Sequence, residues 1–216
     1  MTAQTSSTLR EHIADALRTA LVKGDLKPGQ RVQEVEIALQ YQTSRTPVRE
    51  ALRQLEAEGF VHIRPRRGAV VSPITVRDIK EFYDLKGLLE SYAAERSAAY
   101  ISDDEIKRME RLNTELESAY KASDIQQIIQ VHNAFHDVFI NACGNERLSA
   151  LIQNLVKQYQ RFRIALSHTS SVEDSFEIHK EIIEAFKERD GEKAARLVRK
   201  NSQQGAEALI KHVNKQ

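Results

Sequence analysis

Hydrophobic and polar positions alternate along this chain with two different periods. Residues 8–23, 33–41 and 47–58 carry apolar side chains every three or four positions, which predicts three amphipathic helices. Residues 60–71 (FVHIRPRRGAVV) alternate at every second position around a Pro-Arg-Arg-Gly tip, which predicts a β-hairpin. Two helices, a turn, a third helix and a hairpin, in that order, predict a winged helix-turn-helix.

The third helix has clear signals at both ends. Thr46 is its predicted N-cap, and Pro47 is its first residue, where the missing N–H leaves no hydrogen bond unmade. Gly59 is predicted to end it.

The rest of the chain repeats the helical period. We predict six helices, at 76–99, 103–122, 125–143, 146–167, 172–189 and 191–213. Their starts carry capping residues, with a Ser102–Glu105 capping box and N-caps at Asp124, Asn145 and Asp190.

All four prolines lie at or before Pro73, which indicates a domain boundary near that point. We therefore predict a mainly α protein with two domains. Residues 1–72 form the winged helix-turn-helix, and residues 73–216 form an all-α bundle of six helices.

The composition is that of an ordinary globular protein, with 41% hydrophobic and 29% charged residues. No apolar run approaches the ~18 residues of a membrane-spanning helix, and no secretory signal is visible. The single cysteine, Cys143, permits no intramolecular disulfide, which fits a reducing compartment. We expect a cytoplasmic protein without membrane contact.

Positive charge is concentrated near the start of the chain. Residues 1–76 carry 11 Lys/Arg against 8 Asp/Glu, whereas residues 77–216 carry 21 against 23. Six arginines and three glutamates lie between positions 45 and 67. A local basic region on a nearly neutral chain favours a local contact with nucleic acid.

The third helix has an apolar arc and a basic arc. Three arginines share the outward-facing arc, namely Arg45, Arg49 and Arg53. In a helix-turn-helix this helix enters the major groove N-terminus first, where arginine donates two hydrogen bonds to guanine. Ser44 and Thr46 supply hydroxyls for phosphate.

The hairpin tip carries Arg66 and Arg67, which are spaced to reach an adjacent minor groove. A solvated arginine face on a structural helix is the alternative interpretation. DNA binding is favoured because the cluster coincides with a preceding helix and a basic hairpin.

The segment LKPGQRVQEVEIALQYQTSRTPVREALRQLEAEGFVHIRPRRGAVV closely resembles the DNA-binding domain of the GntR family of bacterial transcription regulators. The resemblance implies that Arg45 and Arg49 read bases and that Thr46 holds phosphate. It also implies that Gly68, at the wing tip, approaches the minor groove. One such helix reads only a few base pairs, so we expect a homodimer on double-stranded DNA.

Polar side chains interrupt the apolar faces of three predicted helices. His132 and His136 lie one turn apart on one helix, His179 lies on another, and Asn201 lies on the last. An unpaired buried polar group costs a few kcal/mol. Two interpretations remain open: each imidazole finds a carbonyl or water in the core, or the cluster binds a divalent metal.

The segments DLKGLLESYAA, VHNAFHDVFINACGNERL and IHKEIIEAFKERDGEKAARLVRKN resemble the FCD effector domain of the FadR subfamily, in its VanR-like branch. The resemblance implies a Zn²⁺ or Ni²⁺ site at His132, His136, His179 and Asn201. The family usually has Asp or Asn at the first of these positions and His at the last. It also implies a small carboxylate effector paired with Lys86.

Arg161 and Arg163 are further candidate partners for an anionic effector. We predict a ligand-responsive transcription regulator that acts as a repressor, and no enzyme activity. A regulator that senses the metal itself is the first alternative. A metal-dependent hydrolase is the second, but Asn133 stands where the general base of a His-Glu-x-x-His motif would be.

Overall fold

The computed structural model describes residues 3–23, 25–64, 68–158, 162 and 171–214. The chain forms two compact units with their main boundary between Ile74 and Thr75, and a short segment that begins at Lys157 is grouped with the first unit. In the part of the chain that the structure describes, every helix is too short or too polar to cross a membrane.

The first unit contains three helices and a small sheet in its described residues. The elements are α1 (Ala3–Lys23), β1 (Arg31–Val32), α2 (Glu34–Gln40), α3 (Arg45–Ala57), β2 (Val61–Arg64) and β3 (Gly68–Val71). All pairing is antiparallel, in the order β1-β3-β2. The predicted hairpin is confirmed, with Val61 opposite Val71 and Arg64 opposite Gly68. Strand β1 was not predicted, because two residues are too short to show an alternation.

Helix α3 is the centre of this unit. Its apolar face is at most 1% exposed and consists of Val48, Ala51, Leu52 and Leu55. Burying a large apolar side chain stabilises by about 1.5–3 kcal/mol, so this face holds α3 firmly. Arg18 of α1 donates from Nε and Nη2 to the carboxylate of Glu58, at 2.9 and 2.8 Å, beside the end of α3.

The start of α3 corrects one prediction. The N-cap is Ser44, with φ −76° and ψ 167°, and Thr46 lies inside the first turn. Pro47 is the third helical residue, and it is tolerated there because the first-turn N–H groups have no intrahelical acceptor. The Ser44 side chain accepts no capping hydrogen bond.

The end of α3 is as predicted. Gly59 has φ +78°, and its N–H donates to the carbonyl of Glu56 at 2.9 Å. The N–H of Phe60 donates to the carbonyl of Leu55, also at 2.9 Å. These two bonds form a Schellman motif, which requires a left-handed residue at its centre.

The second unit contains six helices among its described residues. They are α4 (Val76–Ser97), α5 (Asp103–Lys121), α6 (Ile125–Ala142), α7 (Glu146–Gln158), α8 (Ser171–Lys187) and α9 (Gly191–Val213). The fold is therefore mainly α, as predicted. The predicted continuation of α7 to residue 167 falls mostly on residues outside the described ranges.

The predicted helix starts are present. Ser102 and Glu105 form a reciprocal capping box, and Asp124 and Asp190 accept from the N–H of the third residue of their helices. Asn145 accepts from the N–H of Leu148 at 3.1 Å.

Helices α4 and α9 make the most extensive contact of the second unit. A Cβ added at Gly87 would lie 3.3 Å from Ser202 Cβ, and one added at Gly205 would lie 3.0 Å from Tyr83 Cε1. These glycines therefore allow a close approach. The approach brings the polar residues of both helices into the core.

Candidate functional site

The N-terminal end of α3 presents a polar, exposed surface. The predicted DNA-contacting residues of this region are all exposed, namely Ser44, Arg45, Thr46, Arg49 and Arg53. The helix terminus also directs unpaired backbone N–H groups outward. Anions bind favourably at such a terminus.

Next to this surface lies a basic groove of about 510 Å³. Five arginines contribute to its lining, namely Arg31, Arg45, Arg49, Arg53 and Arg64. Glu34 is the only acidic residue among the described residues that line it. The groove therefore has the charge and the donors needed to bind phosphates and guanine edges.

Glu34 contacts one of the predicted reading residues. Arg49 Nε donates to Glu34 Oε2 at 2.8 Å, while the Arg49 side chain stays 58% exposed. An exposed ion pair contributes little to stability. Its effect is on orientation, because it ties the arginine to the start of α2.

The wing brings in a residue that the sequence analysis missed. Gly68 has φ +74°, and a Cβ there would lie 3.8 Å from Arg31 Nε. Arg31 reaches this position because β1 pairs with β3. Arg66 and Arg67, the other predicted wing contacts, lie outside the described residues.

The predicted metal ligands of the second unit meet in its core. His136 is 2% exposed, His179 is fully buried and His132 is half-buried. One ring nitrogen from each lies within 4.8 Å of the others. The rings of His132 and His136 are stacked, with centroids 4.8 Å apart.

The hydrogen bonds of Asn113 determine the tautomer of His179. Asn113 Nδ2 donates to the carbonyl of Phe176 at 3.2 Å, so its Oδ1 faces the imidazole. His179 Nδ1 lies 3.1 Å from this oxygen and therefore carries the proton. The lone pair is left on Nε2. Phe135 stacks on the ring at a centroid distance of 3.9 Å and fixes its plane.

A carboxylate orients His136 in the same way. Glu90 Oε2 lies 3.1 Å from His136 Nδ1, and Lys86 Nζ donates to this oxygen at 2.5 Å. Burial raises the pKa of Glu90, but the Lys86 ammonium and then His136 outweigh burial and hold the pKa well below its usual range. When His136 is neutral, an ionised Glu90 favours the proton on Nδ1, 3.1 Å from its Oε2, and leaves the lone pair on Nε2.

Asn201 lies between the two imidazoles. Its Nδ2 is 3.4 Å from His136 Nε2 and 3.4 Å from His179 Nε2. Imidazole nitrogens are ligands that Zn²⁺ and Ni²⁺ accept, and their outer nitrogens are held by Glu90 and Asn113, as bound histidines usually require. The three imidazoles therefore fit a divalent ion, and Asn201 would serve as a weak fourth ligand once its amide turns the oxygen toward the ion.

Of the three predicted effector contacts, one lies in the described part of the chain. Lys86 lies beside this cluster, but it is buried and paired with Glu90. Arg161 and Arg163 lie outside the described residues. Sequence reasoning missed Glu90, Asn113 and Glu34, and only the i, i+4 spacing of Lys86 and Glu90 offered a local signal.

Two family models cover most of the chain. The model of the FCD domain matches residues 81–203, more than half of the chain, and that of the bacterial regulatory proteins of the gntR family matches residues 9–71. The chain belongs to the GntR family of transcription regulators with an FCD domain. Its relatives are regulators and not enzymes, in agreement with the prediction.

Curated relatives are similar over three quarters or more of their length. The HTH-type transcriptional regulator YdhC of Bacillus subtilis is 28% identical, over 91% of this chain and 88% of its own. The HTH-type transcriptional repressor RspR of Escherichia coli is 25% identical, over 93% and 89%. The gluconate operon transcriptional repressor of Bacillus subtilis is 29% identical, over 82% and 75%.

Solved structures share the fold. McbR/YncC of Escherichia coli superposes with a TM-score of 0.72 at 23% identity, covering 94% of this chain and 97% of that one. A GntR regulator from Rhodococcus has a TM-score of 0.70 at 20% identity, covering 94% and 98%.

Proposed function

We propose that this GntR regulator represses transcription by binding a specific double-stranded operator through its basic groove. The observation that carries the proposal is a single groove beside α3 that five arginines line. Two of the relatives are named as repressors. The protein acts in the cytoplasm, where its DNA is found.

Each residue of the groove has a role in this proposal. Arg45 and Arg49 donate to base edges in the major groove, and Arg53 supports them one turn further along α3. Ser44 and Thr46 donate to phosphates, together with the helix N-terminus. The wing enters the minor groove with two arginines, Arg66 and Arg67. Gly68 has no side chain and lets the backbone come close to the groove.

The test starts from an operator selected by the wild-type protein out of random duplex DNA. Fluorescence anisotropy then compares this operator with a scrambled duplex for the wild type, Arg49→Ala and the control Arg77→Ala, an exposed arginine of α4. We expect Arg49→Ala to lose about 1–3 kcal/mol of discrimination and the control to lose none. Unchanged specificity in Arg49→Ala would refute the reading role.

We further propose that the helical domain binds Zn²⁺ or Ni²⁺ through His132, His136, His179 and Asn201. The ion would supply an open position for a small carboxylate effector. The buried lone pairs on the two Nε2 atoms support this, since neutral imidazole is the metal-binding form. The effector binds the two states of the helical domain with different affinities. It therefore shifts the balance between these states, and operator affinity changes with that balance.

The effector is a small organic acid in this proposal, with Lys86 as its buried cationic partner. Arg161 and Arg163 complete the anion-binding set. One relative is named for the gluconate operon, and gluconate is an organic acid.

A regulator that responds to the ion itself is the second candidate, favoured by the density of imidazoles in the core. Operator binding measured with EDTA, then with Zn²⁺, then with Zn²⁺ and a set of organic acids, separates the two. Dependence on the ion alone indicates metal sensing, whereas a response to one acid at constant Zn²⁺ indicates effector sensing.

We also propose a homodimer that pairs through α4. Three apolar side chains on one face of this helix, Leu85, Leu88 and Tyr92, are each 51–52% exposed. They are spaced by three and four residues, as in the seam of a coiled coil. Such an exposed seam on a helix suits a second copy of the same chain.

The charges that flank the seam make it self-complementary. Exposed Glu81 precedes it by one turn, and exposed Arg96 follows it by one turn. If two copies of α4 pair antiparallel about a two-fold axis between residues 88 and 89, Glu81 of one faces Arg96 of the other. The same axis sets Leu85 against Tyr92, so acidic, apolar and basic positions all find suitable partners.

A further inference from the structure

A buried ion pair lies beside the cluster of three histidines and Asn201 in the second unit. Lys86 Nζ and Glu90 Oε2 are 2.5 Å apart, with side chains 5% and 1% exposed. Among the described residues Lys86 is the only fully buried lysine or arginine. A buried cation requires a counter-charge, and Glu90 provides it from the next turn of the same helix.

Glu90 has a second partner and a vacant acceptor. Its Oε2 also lies 3.1 Å from His136 Nδ1. Its Oε1 is buried and accepts no hydrogen bond from any described residue. A buried carboxylate oxygen without a donor is costly, so this carboxylate is only partly satisfied where it stands.

We propose that Glu90 is an internal carboxylate which a carboxylate ligand must replace at Lys86. The inference rests on the proposed function and concerns the same site. A ligand carboxylate offers Lys86 an acceptor oxygen with a negative charge, as Glu90 does now through Oε2. While Glu90 pairs with Lys86, a second carboxylate finds the Lys86 ammonium already paired. It is also repelled by the negative charge of Glu90.

The replacement leaves Glu90 with a partner, because His136 Nδ1 lies 3.1 Å from its Oε2. His136 thus keeps Glu90 buried and ionised after Lys86 turns to the ligand. A divalent ion on the neutral imidazoles would add positive charge to this cluster and compensate the extra anion. Glu90 therefore sets the carboxylate concentration at which the site fills.

The experiment measures binding of acetate, the smallest carboxylate probe, to the full-length Zn²⁺-loaded protein by saturation-transfer NMR. The wild type is compared with Glu90→Gln, which keeps the shape and one acceptor but removes the charge. Acetamide, nearly isosteric and neutral, is the control ligand. Circular dichroism confirms that each variant is folded, and Glu90→Ala replaces Glu90→Gln if that variant is not.

We expect Glu90→Gln to bind acetate at least about tenfold more tightly than the wild type, with acetamide binding unchanged. Adding Lys86→Gln to Glu90→Gln is expected to abolish the gain. Unchanged or weaker acetate binding in Glu90→Gln overturns the proposal, and so does a gain that survives the loss of Lys86.

A Zn²⁺ titration of the wild type separates this inference from the proposed metal site. If no Zn²⁺ binds, the metal site fails, and the same acetate comparison on EDTA-treated protein still decides the role of Glu90.

Discussion

Arg49 faces the groove with a carboxylate already bound to it. Glu34 accepts from its Nε at 2.8 Å and leaves the Arg49 side chain 58% exposed. This contact limits the rotamers of the arginine before DNA arrives, and a limited rotamer set costs less entropy on binding. The same carboxylate also repels phosphates. The restricted rotamers favour discrimination between sequences, whereas the repulsion of phosphates lowers overall affinity for DNA.

Glu34→Gln is therefore expected to raise affinity for scrambled duplex by a few-fold and to reduce the ratio of operator to scrambled affinity. Anisotropy at two salt concentrations measures both. The matched control is Glu36→Gln, an exposed acid on the same helix that does not line the groove. A specificity ratio that stays constant in Glu34→Gln would show that Glu34 does not position Arg49.

Asn113 is the corresponding positioning residue in the helical domain. Asn113→Ala removes the acceptor that keeps the proton on His179 Nδ1, so we expect Zn²⁺ affinity to fall by about 10–100-fold. Asn113→Asp keeps an acceptor and is expected to recover most of the loss. Competition with a chromophoric chelator measures the affinity. Equal affinities in wild type and Asn113→Ala would contradict the assignment.

At the scale of elements, the left-handed Gly59 ends α3. An alanine at φ +78° costs about 1–2 kcal/mol, so Gly59→Ala is expected to lower the free energy of unfolding by that amount. Asparagine tolerates this conformation better, and Gly59→Asn is expected to lose less. Urea denaturation followed by circular dichroism measures the difference. Equal stability of wild type and Gly59→Ala would argue against the Schellman motif.

The helices were predictable because their signals are local. Capping residues, Gly59 and the apolar period lie within a few positions of the structure they determine. Strand β1 was not predictable, because its two residues are defined only by pairing with Val70 and Ala69, far along the chain. Arg31 was missed for the same reason.

In the candidate sites too, the residues with a local signal were predictable and their distant partners were not. The three histidines and the exposed arginines stand out within single helices. Their partners do not, since Asn113 lies 66 positions from His179 and Glu34 lies 15 positions from Arg49. Only folding shows that Lys86 is paired internally, whereas the family resemblance suggested an open cation.

At the scale of the whole molecule, the dimer proposal can be tested by charge reversal. In the proposed antiparallel pairing of α4, each Glu81 would face Arg96 of the second copy, so Glu81→Arg would set two arginines against each other. Arg96→Glu does the same with two glutamates. Each single variant should weaken dimerisation, and the double variant should restore it, because the pair is then only reversed.

Sedimentation velocity over a range of concentrations measures the dissociation constant of each variant. Leu88→Glu places a charge at the centre of the seam and is expected to give monomers, whereas Leu39→Glu, an exposed leucine of α2, leaves the dimer intact. If the double charge reversal is weaker than either single variant, the copies do not pair antiparallel through α4. If two copies read the operator half-sites, as we propose, variants that weaken the dimer should also lose operator affinity as the protein is diluted.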